Sequence, residues 1–180
     1  MQPGLLPRDI LDWVALLERL DDTDREGLLR HFLALGEEDR RLRFGVAVGD
    51  EHLRRYVDAV DFSRDVVFGV CSGTGQWLGI GHLALTAPSV ELGLSVLAQA
   101  RGRGLGAAIF RFAVAHAARA GIPRLYMHCL TGNQAILSIA RAAHMTIESS
   151  AGDSDAHLVV PPYAEFVRML IDEPQAEEMH

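Results

Sequence analysis

The chain has 180 residues, of which 49% are hydrophobic, so it is long enough to form one domain with a buried core. Its formal net charge of −7 argues against a general nucleic-acid-binding protein. No apolar run reaches the roughly 18 residues that a membrane span requires, and the first residues lack the basic and apolar regions of a signal peptide. Cys71 and Cys129 lie far apart and match no metal or redox spacing. We therefore expect a single cytoplasmic domain over residues 1–180, with no metal, no nucleic-acid partner and no membrane contact.

The charge is distributed unevenly along the chain. Residues 92–147 contain no Asp or Glu but hold six arginines, whereas the rest of the chain is strongly acidic. A positive segment in an acidic protein indicates a binding site for a small polyanion.

The first third of the chain predicts mainly helices. Residues 13–20 read as a first strand, although their periodicity is ambiguous. Residues 21–35 form an amphipathic helical pattern. Near its start, Thr23 and Glu26 have the spacing of a capping box. A charged connector, "GEEDRRLRF", leads to a short helix over residues 50–60, with Asp50 as the expected N-cap.

From residue 65 onward, strands alternate with helices. The runs 65–71 and 76–85 flank the turn "SGTG" and predict a hairpin. Gly121 stands where a helix of residues 105–120 would end, and Asn133 where a helix of residues 133–145 would be capped. The remaining expected elements are strands over 89–98, 123–130 and 157–160, followed by an acidic C-terminal tail over 162–180. This order predicts an α/β fold with a mixed sheet.

The stretch "ARGRGLGAAIF", residues 100–110, places three glycines between a predicted strand and a predicted helix. Glycines allow close approach of the backbone to a ligand, and a helix N-terminus favours an anion. Arg101 and Arg103 can add charge-assisted hydrogen bonds to phosphate oxygens. A Walker A loop is excluded because the chain has no lysine, and the glycine spacing does not match a dinucleotide fingerprint. A strand–helix turn without a ligand is the alternative interpretation.

Residues 101–106, "RGRGLG", match the R/Q-x-x-G-x-G/A motif, and on this match the chain resembles the GNAT N-acetyltransferases. The segment "NQAILSIARAAHM" is similar to that of the bacterial protein-lysine acetyltransferase branch, and the resemblance covers about residues 12–161. It implies a mixed, mostly antiparallel sheet of six to seven strands with about four flanking helices. It also implies acetyl-CoA as co-substrate and a primary amine, on a small molecule or a protein lysine, as acceptor.

The resemblance also assigns roles to single residues. Glu91 would be the general base, and Asn133 would lie beside the pantetheine arm and the reacting centre. Backbone groups of Val96 and Leu97 would pair with the pantetheine arm, while the loop amides would bind the pyrophosphate. The residues assigned to the cofactor are Val96, Leu97, Arg101, Gly102, Arg103, Gly104, Leu105, Gly106, Ala107 and Asn133.

Two positions depart from the family pattern. Ala140 stands where many members have a tyrosine that acts as general acid, and His144 replaces a glycine. The missing tyrosine supports the alternative of a non-catalytic acyl-CoA sensor or partner subunit. The small residues Gly93, Ser95 and Ala98 could accommodate a longer acyl chain, so a transferase for a longer acyl-CoA is the second alternative to an acetyltransferase. The identity of the amine, the general acid and the formation of a homodimer stay open.

Overall fold

The computed structural model describes residues 10–172, which form one seven-stranded sheet with helices packed on both faces. The strand order is β1-β2-β3-β4-β5-β7-β6, and β4–β5 is the single parallel pair. The strands are β1 (Glu18–Arg19), β2 (Val66–Cys71), β3 (Trp77–Thr86), β4 (Ser89–Val96), β5 (Arg124–Leu130), β6 (Thr146–Ser150) and β7 (Asp153–Val159).

Seven α-helices lie within the described residues, more than the four expected. They are α1 (Ile10–Ala15), α2 (Arg25–Leu33), α3 (Glu37–Phe44), α4 (Asp50–Asp58), α5 (Leu105–Arg119), α6 (Gln134–Ala142) and α7 (Tyr163–Asp172). None of the helices in residues 10–172 has the length and apolar character needed to cross a membrane.

The predicted first strand over residues 13–20 is wrong over most of its length. Residues up to Ala15 belong to α1, and only Glu18–Arg19 pair with β2 as β1. Trp13 decides the local structure because its side chain is fully buried and packs in the core. A short apolar run does not by itself distinguish a buried helical turn from a strand.

The helix starts in the first third also differ in detail. The capping box is formed by Asp21 and Asp24 on a 3-10 turn that precedes α2, rather than by Thr23 and Glu26. The charged connector is a full helix, α3, with acidic residues in its first turn and arginines in its last, the arrangement that the helix dipole favours. Helix α4 begins at Asp50, with Gly49 as N-cap.

At the C-terminal end, a hairpin of β6 and β7 replaces the single expected strand over residues 157–160. Strand β6 lies at the sheet edge, and its sequence, TIESS, is mostly polar and exposed. It therefore lacks the hydrophobic alternation that identifies half-buried strands. The first part of the predicted tail forms α7, and residues 173–180 lie outside the described residues.

Two hydrophobic clusters cover the two faces of the sheet. One contains α5 and α6 residues together with Val90 and Leu92 of β4, and the other contains α2 and α4 residues together with Leu97. Successive residues of a strand point to opposite faces, so Glu91, Gly93 and Ser95 share the face with Leu97. The face that carries Glu91 is therefore the one covered by α2, α3 and α4.

Candidate active site

A cleft opens where β4 and β5 part. Their parallel pairing ends at Glu91 and Tyr126, although β4 continues to Val96 and β5 to Leu130. The cleft has a volume of about 260 Å³ and is lined by β4, α3, α6 and the glycine loop. The open edge of β4 is thus available to a ligand.

Backbone alternation determines which β4 groups face this cleft. The Leu97 N–H donates to Leu78 O on β3 at 2.8 Å, so the Leu97 amide is used within the sheet. In an antiparallel pair, alternate residues direct their N–H and C=O groups to opposite neighbours. The backbone groups of Leu94 and Val96 therefore point toward the cleft, consistent with the hydrogen bond that Val96 O accepts from Arg101 Nε at 2.9 Å.

The glycine loop forms the base of the cleft with its backbone. Gly102 and Gly104 have φ values of +69° and +85°, a region that disfavours other residues, and α5 starts at the next residue. None of the six N–H groups from Gly102 to Ala107 donates a hydrogen bond to a residue that the structure describes. Unpaired amides at the positive end of a 15-residue helix form an anion site.

Trp13 holds this loop in place. Its indole Nε1–H donates to Arg103 O at 2.7 Å, and the Ile10 side chain lies where a Cβ on Gly104 would need to be. Helix α1, expected as a strand, thus serves as a support for the loop.

The guanidinium of Arg101 is bound by the protein itself. Its terminal nitrogen forms a 2.7 Å ion pair with Asp39 of α3, in addition to the hydrogen bond to Val96 O. Arg101 therefore joins α3 to the end of β4 across the mouth of the cleft. In this arrangement it points toward α3 rather than into open space beside the loop amides.

Asn133 connects α6 to α3 at the opposite wall. Its Oδ1 accepts from Ile136 N at 3.2 Å and caps α6, as predicted, and its Nδ2 donates to Leu42 O at 3.3 Å. The side chain lines the cleft and is 7% exposed. Both of its polar ends are satisfied, so its main contribution is to set the distance between the two walls.

Glu91 is half-buried at the point where the two strands separate. The Tyr126 hydroxyl donates to Glu91 Oε2 at 3.1 Å, and the two residues are register partners on β4 and β5. One carboxylate oxygen is thus held by a phenol at the last paired residue of β4, and Glu91 is not among the residues that line the cleft. A carboxylate can accept a proton from a group that reaches this position.

Arg43 of α3 lies flat against β4 at Gly93. A Cβ at position 93 would come within 2.6 Å of Arg43 Nη1, so only glycine leaves room for the guanidinium. Arg43 lines the cleft, and its carbon Cζ lies 5.0 Å from the centre of the Phe44 ring and 5.9 Å from that of Tyr56. Its Nη2 donates to the Tyr56 hydroxyl at 3.1 Å.

A chain of buried polar groups continues behind Arg43. Because arginine only donates, the Tyr56 oxygen accepts from it, and the phenolic proton goes to His82 Nδ1 at 2.6 Å. His82 Nε2 then carries the second proton and donates to Asp65 Oδ2 at 3.1 Å. Burial lowers the pKa of His82, and the hydrogen bond to Asp65 opposes this shift. This series of hydrogen bonds therefore fixes the Tyr56 hydroxyl through a neutral imidazole.

His31 is a second buried histidine on this face. Nδ1 donates to Trp77 O and Nε2 accepts from the Ser95 hydroxyl, both at 2.8 Å. Burial lowers its pKa from 6.5 to about 4, so the ring is neutral at physiological pH. It anchors α2 to β3 and β4 beneath the cleft.

A family model of the GNAT acetyltransferase domain matches residues 15–146. The chain belongs to the GNAT acetyltransferase family. Its resemblance to that family and its mixed α/β fold class, both predicted from the sequence, are thus confirmed. No curated protein matches this GNAT chain by sequence.

Several solved structures share the fold of this GNAT domain. The GNAT domain of S. lividans PAT is 20% identical, with a TM-score of 0.67 over 79% of this chain and 89% of that one. A ribosomal-protein-alanine N-acetyltransferase from Brucella melitensis is 17% identical, with a TM-score of 0.64 over 80% and 99% of the two chains. A spermidine N-acetyltransferase from Vibrio cholerae, solved with CoA and spermine, is 13% identical, with a TM-score of 0.64 over 82% and 96%.

A second depression, of about 820 Å³, is lined mainly by residues of β5, β7 and β6. Tyr126, which donates to Glu91, lines it together with His157 and Asp155. Asp155 also accepts a 2.8 Å hydrogen bond from His128 and raises the pKa of that histidine. Glu91 of the GNAT domain therefore lies between the narrow cleft and a broad polar surface.

Sequence reasoning placed Glu91, Asn133 and the loop in the site. Asn133, Val96 and most residues of the loop line the cleft, whereas its lining does not include Glu91, Leu97, Arg103 or Ala107. Glu91 lies at the end of the β4–β5 pairing, where the two strands separate. Sequence reasoning missed Arg43 and the chain from Tyr56 to Asp65. Gly93 is the sequence feature that pointed to such a contact. An isolated glycine inside a predicted strand often marks a position that another group approaches closely. Among the residues described, no group of three or more His, Cys, Asp and Glu side chains could hold a metal ion.

Proposed function

We propose that this GNAT domain transfers the acetyl group of acetyl-CoA to a primary amine by direct attack in a ternary complex. The observation that carries the proposal is the cleft itself: the edge of β4 leads directly to a loop whose six amides have no hydrogen-bond partner among the described residues. The loop provides an anion site for a pyrophosphate, and the strand edge provides hydrogen-bonding groups for the amides of a pantetheine arm.

The donor would lie along β4. The N–H groups from Gly102 to Ala107 would bind the pyrophosphate, with Arg103 adding charge on the same loop. The backbone groups of Leu94 and Val96 would pair with the pantetheine arm, since the Leu97 amide is already bonded to Leu78. Asn133, through its hydrogen bond to Leu42 O, would keep α6 and α3 at a separation that admits the pantetheine arm.

Glu91 would act as the general base. An alkylamine with a pKa of about 10.4 is mostly protonated at neutral pH and attacks a thioester only after losing a proton. The nitrogen forms the new C–N bond, its proton passes to the Glu91 carboxylate directly or through water, and the C–S bond breaks to release CoA. Tyr126 would keep the carboxylate oriented through its 3.1 Å hydrogen bond.

The released CoA would leave as a thiolate or take a proton from water. Ala140, at the position of the family tyrosine, is fully buried on α6 and carries no proton donor. The alternative of a non-catalytic sensor follows from this position, and both this alternative and that of a longer acyl donor are outcomes of the test below.

The acceptor would be a small-molecule amine or a protein lysine. The structural relatives include one described as a spermidine N-acetyltransferase and others described as acting on ribosomal-protein alanine. The open polar surface beside Glu91 is compatible with either an extended peptide or a small amine. We infer further that the chain works in the cytoplasm.

Acetyl-CoA binding and turnover test this function separately. Acetyl-CoA should raise the melting temperature, and release of free CoA should be seen with at least one member of a panel of amines and lysine peptides. Glu91→Gln should lower kcat by about 10²-fold or more at neutral pH without weakening acetyl-CoA binding. Glu165→Gln, on the exposed surface of α7, is the matched control.

Four outcomes would contradict parts of the proposal. Absence of any acetyl-CoA binding would remove its premise. Binding without turnover on the whole panel would favour a sensor, and faster turnover with longer acyl chains would favour a different donor. An unchanged pH–rate profile in Glu91→Gln would exclude Glu91 as the base.

A further inference from the structure

We propose that Arg43 recognises a carboxylate carried by one of the two substrates, next to the reacting centre. This inference rests on the proposed function, because it assigns the substrate class of the same cleft. The carboxylate could belong to the acyl group, as in a dicarboxylic monothioester such as succinyl-CoA, or to the acceptor, as in an amino acid.

The position of Arg43 supports this role. Its guanidinium occupies the space that the missing side chain of Gly93 leaves on β4, and it lines the cleft. Position 93 is two residues from Glu91 on the same face of the strand, which corresponds to about 7 Å along the chain. A ligand that reaches Glu91 with its amine, or that presents its acyl carbon there, therefore comes within reach of Arg43.

The hydrogen bonding of Arg43 is incomplete. Its Nε is buried and has no hydrogen-bond partner, and the acceptor found for Nη2 is the neutral hydroxyl of Tyr56. No carboxylate among residues 10–168 lies within ion-pair distance of Arg43. A buried Nε without a partner is costly, and a carboxylate that binds two parallel N–H groups of the guanidinium would satisfy it.

Two neighbouring arginines of α3 differ from Arg43 in their ion pairing. Arg40 pairs with Asp50 and Arg41 with Glu38, each at 2.7 Å, and both belong to α3 like Arg43. The chain thus provides carboxylate partners for the arginines of this helix that lie outside the cleft, while the one inside the cleft has none among the described residues.

The aromatic residues around the Arg43 guanidinium favour binding of a planar anion. Phe44 and Tyr56 contact it from the α3–α4 side, and the chain from Tyr56 through His82 to Asp65 fixes the phenol that it bonds to. The planar guanidinium stacks favourably on aromatic rings, and its two parallel N–H groups match the geometry of a carboxylate. The phosphates of the donor have their own site at the loop amides.

Two matched comparisons distinguish the source of the carboxylate. The first measures binding and kcat/KM for succinyl-CoA against acetyl-CoA. The second measures binding to the CoA-loaded protein, and kcat/KM with acetyl-CoA, for amino acids against their carboxamides. In one of the two arms, the wild-type chain should favour the carboxylate by about tenfold or more.

Arg43→Gln should abolish that preference while changing the values for the neutral analogue by less than about threefold. Arg41→Gln, on the exposed side of the same helix, should keep the preference and is the control. Gly93→Ala provides a second variant that displaces the guanidinium without deleting it, so a folding defect in Arg43→Gln would not leave the question open.

Equal affinity for carboxylate and neutral ligands in both arms would overturn the inference, and so would a preference that survives in Arg43→Gln. Failure of the proposed function has a different signature, since acetyl-CoA itself would then produce no shift in melting temperature. If the protein binds acetyl-CoA and acetylates amines with no preference for carboxylates, only the role of Arg43 is refuted.

Discussion

Alanine substitutions at two glycines on adjacent strands should differ in their effect on stability. A Cβ at Gly81 would lie 2.5 Å from Phe68 Cζ and 2.8 Å from Ile109 Cγ2, and both of these side chains are fully buried. Overpacking of this kind costs about 1–3 kcal/mol, partly offset by about 0.4–1 kcal/mol from the lower entropy of the unfolded chain. At roughly 2–4 °C per kcal/mol for a chain of this size, Gly81→Ala should lower the melting temperature by several degrees.

At Gly93 the obstacle is the guanidinium of Arg43, the far end of a flexible side chain. It can move into the cleft, so Gly93→Ala should change the melting temperature by less than about 2 °C. Thermal unfolding followed by circular dichroism, with and without acetyl-CoA, measures both effects. An equal loss of stability in the two variants would refute the reasoning, because it would mean that Arg43 is as rigidly packed as Phe68.

Three further predictions concern the helices and the buried histidine. His144 has φ +52° at the C-terminal cap of α6, so His144→Gly should raise the unfolding free energy by about 1 kcal/mol, as measured by urea denaturation. Asn133→Ala should lower it by about 1–2 kcal/mol, whereas Asn133→Asp, which keeps the capping oxygen, should lose less than half of that. Because the pKa of His31 falls from 6.5 in the unfolded chain to about 4 when folded, its contribution to stability is complete above pH 6.5 and is lost on acidification toward pH 4. Stability should fall by about 3 kcal/mol over that interval, and His31→Gln should flatten the slope measured across a pH series.

The elements that were correctly predicted carry their signals within a few residues. The hairpin of β2 and β3 has a turn between two β-branched runs, α5 has a glycine loop before it and Gly121 after it, and α6 has Asn133 at its start. Each of these features depends on local backbone chemistry. For the same reason, the local sequence is sufficient to predict an anion site at the loop amides.

The elements that were wrong or missed depend on distant contacts. Residues 13–15 are helical because Trp13 fills the core and reaches Arg103 O, a partner ninety positions along the chain. Strand β6 is polar and pairs only because β7 lies beside it at the sheet edge. Local periodicity contains neither piece of information.

In the candidate site, too, the contacts that sequence analysis missed join residues distant in sequence. The contact of Arg43 with Gly93 joins α3 to β4, and no residue near Arg43 in sequence distinguishes it from Arg40 or Arg41. Arginines in a charged helix are usually solvated, and only the packed structure shows which of them turns inward.

The two sides of the cleft therefore differ in how they encode specificity. The proposed donor site consists of backbone amides, whose chemistry does not depend on side chains. The face with Glu91 is built from side chains of α3 and α4, which a few substitutions can change without altering the sheet. Exchange of residues 37–58 between this domain and a distant relative should consequently transfer ligand preference beside Glu91 and leave acetyl-CoA affinity nearly constant. A parallel loss of both properties would mean that α3, through Asp39 and Arg101, also controls the donor site.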